Sequence, residues 1–70
     1  MSTKRERFKR LAEQRTNAVM HKLKVLGNCS NRSAYEFTEE EINKIFSTIE
    51  KMVRETKSKF HFSIRKHFKL

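Results

Sequence analysis

The sequence predicts an all-α protein, an antiparallel two-helix hairpin with an ordered loop. Two long segments repeat apolar residues every three or four positions, which is typical of helices that bury one face. They flank a polar connection of about 11 residues that holds the only glycine of a chain without proline. We therefore expect a hairpin over residues 1–60, with a helix at 3–26, a loop at 27–38 and a helix at 39–60, followed by a basic, aromatic tail at 61–70.

The first helix has an apolar stripe that covers about a third of its circumference. Its members are Phe8, Leu11, Ala12, Val19, Leu23 and Leu26, with Ala18 at the margin. Gly27 follows directly, and glycine often ends a helix in the left-handed conformation. The sequence therefore predicts a helix that stops at a left-handed Gly27.

The second helix has a well-marked start. Thr38 and Glu41 have the spacing of a capping box, and Phe37 and Ile42 have that of a hydrophobic staple. Three glutamates, Glu39 to Glu41, complement the positive end of the helix dipole. The spacing predicts a helix that begins at Glu39.

The second helix also has an apolar stripe, and it leads toward an ambiguous tail. The stripe consists of Ile42, Ile45, Phe46, Ile49, Met52, Val53, Phe60 and Ile64, with Thr56 a weak point. Phe60, Phe62 and Ile64 also alternate like a strand. We expect helix to about Phe60, and the helix that continues toward His67 stays an open alternative.

The loop holds a compact polar and aromatic set. We expect side chains between Asn28 and Ser33 to bond the backbone in Asx-type turns, and Tyr35 to tuck against the end of the hairpin as a lid. The need for a turn does not explain why an arginine stands at position 32. Because loops often carry function, a partner could be recognised by Asn28, Asn31, Arg32 and Tyr35.

Two helices offer each other only one contact face, so the chain is expected to associate with itself. A domain of 70 residues buries little surface on its own. Stripes rich in Phe, Ile and Leu would stay open to water in a single hairpin. The simplest solution is a two-fold homodimer that forms a four-helix bundle.

The net charge of +9 points to an acidic partner. Residues 1–26 carry +6, residues 27–37 are neutral, residues 38–56 carry −2 and residues 57–70 carry +5. An antiparallel hairpin would bring both basic ends to one pole, with Phe62, Phe68, His61 and His67 among the cations. The basic residues of this pole are Lys4, Arg5, Arg7, Lys9, Arg10, Lys57, Lys59, Arg65, Lys66 and Lys69. The alternative is that these charges only keep the helices and chain ends solvated.

Two further cations, Arg15 and Lys22, fall inside the apolar stripe of the first helix. A buried charge needs a partner. We expect the aliphatic parts of these side chains to pack on the apolar stripe and their charged groups to reach Glu50, Glu55 or a second chain. Contact with a ligand or partner is the alternative.

The residues for catalysis are sparse, so we expect no enzyme and no cofactor. There is no Asp, and the three adjacent glutamates already have a role at a helix start. Cys29 follows the carboxyl end of a helix, where the dipole does not favour a thiolate, so we expect an ordinary buried or half-buried thiol. The three histidines have no metal-ligand spacing with Cys29 or each other. With no signal peptide or membrane span, the expected location is the cytoplasm.

Four phrases of the sequence resemble a group of short proteins from bacteria and their phages or other mobile elements. They are RLAEQRT (10–16), LGNCSNRSAY (26–35), TEE (38–40) and KIF (44–46). Ala34 and Phe37 stand where the group has Asn and Tyr. The resemblance implies a compact helical protein of a mobile element. It implies no functional residue.

Three functions follow as hypotheses. The first is a nucleic-acid-associated module, binding DNA, RNA or a ribonucleoprotein, whose basic pole contacts phosphates with little sequence readout. The second is a protein-interaction module, an adaptor or inhibitor, that uses the 28–37 loop and the basic helix faces. The third, a minor one, is membrane-surface binding through residues 59–70. The long connection and the absence of a third helix disfavour a helix-turn-helix.

Overall fold

The structure, a computed structural model, describes residues 3–60. These residues form helices and no strand, which confirms the all-α class. The chain divides into two units, Met1–Glu36 and Phe37–Leu70, and each holds one long helix. The predicted tail at 61–70 lies outside the described residues.

Helix α1 spans Lys4–Gly27. Thr3 is its N-cap, and its hydroxyl oxygen accepts a bond of 3.0 Å from the backbone N–H of Glu6. The Glu6 carboxylate accepts one of 2.9 Å from the N–H of Thr3. These two bonds form a capping box, which satisfies backbone donors that the first turn leaves without partners.

The end of α1 differs from the prediction at Gly27. This glycine is the last residue of the helix, with φ −60° and ψ −24°, so the left-handed conformation predicted for it is wrong. The chain instead tightens into a 3₁₀ turn at Asn28–Ser30, and the backbone N–H of Asn28 bonds the carbonyl of Val25. Such bonds satisfy the last carbonyls of a helix without a left-handed residue.

Asn31 organises the loop after the 3₁₀ turn. Its side-chain oxygen accepts a bond of 3.0 Å from the N–H of Ser33, and its carbonyl accepts bonds from the N–H groups of Ala34 (3.1 Å) and Tyr35 (2.9 Å). The predicted Asx-type turn is confirmed at this residue. One other expectation is wrong: Cys29 is exposed, because the 3₁₀ turn lies at the surface. Tyr35 is 54% exposed, and its role as a lid on the hairpin stays a prediction.

Helix α2 spans Glu39–Ser58 and begins at the predicted residue. The Thr38 hydroxyl accepts a bond of 3.1 Å from the N–H of Glu41, and the Glu41 carboxylate accepts one of 2.8 Å from the N–H of Thr38, which confirms the capping box. The helix ends two residues earlier than predicted. Lys59 and Phe60 continue as a turn whose N–H groups bond the carbonyls of the last helical turn.

The apolar stripes of both helices remain open to solvent. No residue between 3 and 60 is buried. The most covered side chains of the stripes are only half-buried, and they are Leu11, Ala12, Leu26, Ile42 and Ile49. Each helix therefore presents an apolar face that another helix can cover.

Candidate nucleic-acid interface

Five cations crowd the first two turns of α1. This group, called here the basic segment, consists of Lys4, Arg5, Arg7, Lys9 and Arg10, and every member is exposed. At about 100° per residue they point in directions all around the helix axis. The basic segment therefore surrounds the helix axis with positive charge, and a flexible polyanion can approach it from several sides.

The cations at the start of the basic segment interact unfavourably with the dipole of their own helix. The amino end of a helix is positive, so cations there are unfavourable. Glu6 is the only acidic residue of the first turn, and its carboxylate is engaged in the capping box. Lys4 and Arg5, which lie in the first turn, therefore lower the stability of α1, and a bound anionic partner would offset that cost.

Helix α2 has the opposite arrangement. Its first turn carries Glu39, Glu40 and Glu41, and its last turn carries Lys57. These charges complement the dipole at both ends. The unfavourable charges of α1 are therefore particular to that helix.

The other predicted contacts are only partly described. Lys57 and Lys59 are exposed at the end of α2. The remaining three, Arg65, Lys66 and Lys69, lie outside residues 3–60, as do Phe62 and Phe68. Within the stripe of α1, Arg15 and Lys22 are exposed.

Phe8, a member of the apolar stripe, also adds an aromatic ring to the basic segment. It is 51% exposed inside the basic segment. Lys4 precedes it by four residues and Arg5 by three, so both cations flank it on the same face of the helix. That spacing is visible in the sequence, and aromatic rings among cations are a common surface for stacking bases.

The loop presents the second set of candidate residues. Asn28 caps the end of α1, and Asn31 fixes the turn that follows it. Arg32 and Tyr35 are exposed on this turn. The loop thus displays a cation and a ring on a backbone held by hydrogen bonds.

The comparisons with known proteins add no relative. No family model, no curated protein and no solved structure matches the chain. Among residues 3–60, neither helix combines the length and apolar character needed to cross a membrane.

Proposed function

We propose that the protein is a small non-enzymatic module that binds the phosphate backbone of nucleic acid with little sequence readout. The observation that carries the proposal is the basic segment, five exposed cations, of which Lys4 and Arg5 lie in the first turn, where a cation destabilises the helix. Lys and Arg side chains bind phosphates by releasing counterions, a contribution that is independent of base sequence. Phe8 is the first member of the α1 stripe, so in the proposed bundle the outer face of its ring would remain for stacking.

The proposed architecture is the antiparallel hairpin, paired as a homodimer in a four-helix bundle. Two open apolar faces on one short chain support it, because each needs a cover. An antiparallel hairpin would bring Lys57 and Lys59 to the same pole as the basic segment. The dimer would then carry two such poles and could contact more phosphates than one chain.

The test is the salt dependence of nucleic-acid binding, measured by fluorescence anisotropy on the full chain. One variant replaces Arg5, Arg7 and Lys9 by Gln. Its matched control replaces Lys24, Lys51 and Arg54 by Gln, which removes the same charge outside the basic segment. Each phosphate contact contributes about 0.9 to the slope of log affinity against log salt on double-stranded DNA. We expect the first variant to lose up to about 3 of that slope and the control to lose far less.

Three outcomes would contradict the proposal. The protein could show no affinity at low salt, or affinity that salt leaves unchanged. Equal losses in the two variants would assign any binding to net charge alone. Single-stranded and double-stranded DNA and RNA of several sequences belong in the same series, because the proposal expects little discrimination among sequences.

A second candidate function is recognition of a protein partner through the loop. The exposed ring of Tyr35, on a turn that Asn31 fixes, favours it. In this case the chain serves as an adaptor or inhibitor for a phage or other mobile element. Its surface would include Asn28, Asn31, Arg32 and Tyr35.

Purification from cells, before and after nuclease and high salt, separates the two functions. A defined protein that stays bound after nuclease, and is lost in a Tyr35→Ala variant with unchanged nucleic-acid affinity, favours the loop. A Tyr35→Phe variant is the control, since it keeps the ring. Co-purifying nucleic acid that salt removes favours the basic segment.

A further inference from the structure

Helix α2 has an apolar face without a single charge. Its members lie within about 120° of the helix circumference, and they are Ile42, Ile45, Phe46, Ile49, Met52, Val53 and Thr56. Met52 is 67% exposed and Val53 57%. An apolar face that is this exposed is expected to be buried against a partner surface in water. The charges beside the face indicate which partner fits.

One edge of this face carries alternating charges. Glu41, Lys44, Glu55 and Lys59 lie along the same side of the helix, and all four are exposed. Glu41 and Lys59 are 18 residues apart, about five full turns. The edge is thus acidic at its first residue and basic at its last.

The pattern mirrors itself about Ile49. Glu41 lies eight residues before Ile49 and Lys59 ten after it, and Lys44 lies five before and Glu55 six after. Offsets of one or two residues amount to about 1.5–3 Å along a helix, which long side chains can span. If a second copy of the helix runs in the opposite direction with its Ile49 at the same level, each of the four charges therefore lies opposite a charge of the other sign.

The apolar face has the same mirror symmetry. Ile45 and Val53 each lie four residues from Ile49, and Phe46 and Met52 each lie three. Ile42 and Thr56 each lie seven from it. A face that matches its own reverse suits an isologous contact between two copies.

We propose that α2 binds α2 of a second copy of this chain, antiparallel, with the two-fold axis beside Ile49. This deepens the dimer of the proposed function and rests on it. Glu41, whose Oε1 accepts the capping-box bond, then meets Lys59 of the partner subunit, so Lys59 would serve the dimer rather than a phosphate contact. Lys44 meets the partner's Glu55, and the two-fold axis repeats both pairs. A parallel arrangement would instead bring together the three glutamates that begin each α2, at a cost in repulsion.

A groove lies along this edge of α2 and can receive a side chain of the second copy. It is lined by Glu41, Lys44, Ile45, Thr48 and Ile49. These residues are spaced by three or four, as in the holes that receive side chains in helical bundles. In the antiparallel register the partner's Met52 lies near this groove, and an unbranched thioether adapts to such a site.

Cysteine cross-linking in the full chain tests the register. In a Cys29→Ser background, Ile49→Cys places the two thiols together at the two-fold axis, so we expect most of the protein to form a disulfide-linked dimer under mild oxidation. In Ile42→Cys the thiols lie about 21 Å apart along the axis, and we expect almost no cross-linking. Efficient cross-linking of Ile42→Cys, or none of either variant, overturns the proposal.

A charge exchange provides a second test that leaves the apolar face intact. Lys44→Glu and Glu55→Lys each create two like-charge contacts per dimer, and each should raise the dissociation constant of the dimer about fivefold. The double variant restores both pairs and should return within about twofold of the original value. Each single change also removes a favourable i,i+4 spacing within α2, Glu40 with Lys44 or Lys51 with Glu55, so circular dichroism of each variant separates weaker association from a weaker helix. Additive losses in the double variant, or a monomer at every concentration in analytical ultracentrifugation, overturn the proposal.

Nucleic-acid affinity measured on the same variants keeps the two proposals apart. Cross-linking that follows the predicted pattern without any nucleic-acid affinity overturns the proposed function alone. Salt-dependent affinity in a protein that stays monomeric overturns the α2 pairing alone.

Discussion

Gly27 shows how the conformation of one residue depends on the hydrogen bonds around it. A glycine after an apolar stripe is the usual sign of a left-handed helix end, yet φ is −60° here. The difference lies in the next residues, since Asn28–Ser30 form a 3₁₀ turn that satisfies the carbonyls in another way. Gly27 therefore does not need the conformational freedom of glycine.

The substitution Gly27→Ala should stabilise the protein. The conformation is right-handed helical, and a Cβ at this position would meet no atom within 4 Å. Alanine reduces the number of conformations open to the unfolded chain and has a higher helix propensity than glycine. Together these effects raise the free energy of unfolding by up to about 1 kcal/mol. Thermal unfolding followed by circular dichroism at fixed protein concentration measures the gain. A loss of stability would indicate the left-handed conformation after all.

Thr38→Ala should destabilise α2 by about 1 kcal/mol, because it removes the hydroxyl half of the capping box. The matched control is Ser47→Ala, which lies within α2 on the side away from the apolar face and should cost little, since alanine favours helix. Equal unfolding temperatures for the two variants would contradict the role of the cap.

At the scale of the elements, the two helices use the same start signal for different purposes. Thr3 with Glu6 and Thr38 with Glu41 form the same capping box, and the sequence carries the signal at both places. In α2 the remaining charges support the helix, whereas in α1 the basic segment opposes it. The helix with unfavourable charges is therefore the better candidate for a binding surface.

Replacing Lys4 and Arg5 by Gln should stabilise α1 while weakening nucleic-acid binding. Removing a cation from the positive end of a helix is worth about 0.3–1 kcal/mol at low salt, and screening cancels the gain at high salt. Circular dichroism melts at both salt concentrations, together with anisotropy, measure the two effects. The control is Lys24→Gln in the last turn of α1, where a cation is favourable, so this change should lower stability. A double variant that loses stability would mean that the basic segment supports the helix.

At the scale of the whole molecule, the sequence predicts more about elements than about their surroundings. The start of α2 follows from Phe37, Thr38 and Glu41, because capping is local in the chain. The exposure of Tyr35 and Cys29 does not follow from the sequence in this way, because it depends on the path of the loop in space. The proposed binding surface is intermediate: charge counts identify the basic segment, whereas the 51% exposure of the Phe8 ring comes from the structure.

The proposed hairpin and the proposed dimer use different edges of α2. Arg15 precedes Gly27 by 12 residues, and Glu50 follows Thr38 by 12. An antiparallel hairpin would place both at the same level, at the edge of the apolar face opposite to Lys44. In the proposed assembly, this division would let α2 pack against α1 and against a second copy at the same time.

Charge exchange at these two positions tests the hairpin. Arg15→Glu and Glu50→Arg should each destabilise the protein, and the double variant should recover stability with a coupling energy of about 0.5–3 kcal/mol. The control pairs Arg15→Glu with Lys51→Glu, because Lys51 lies on the side of α2 away from the apolar face and should show no coupling. Chemical unfolding at one protein concentration provides all the free energies, since association also contributes to stability. If the effects of Arg15→Glu and Glu50→Arg simply add, the two residues do not meet and the hairpin register is wrong.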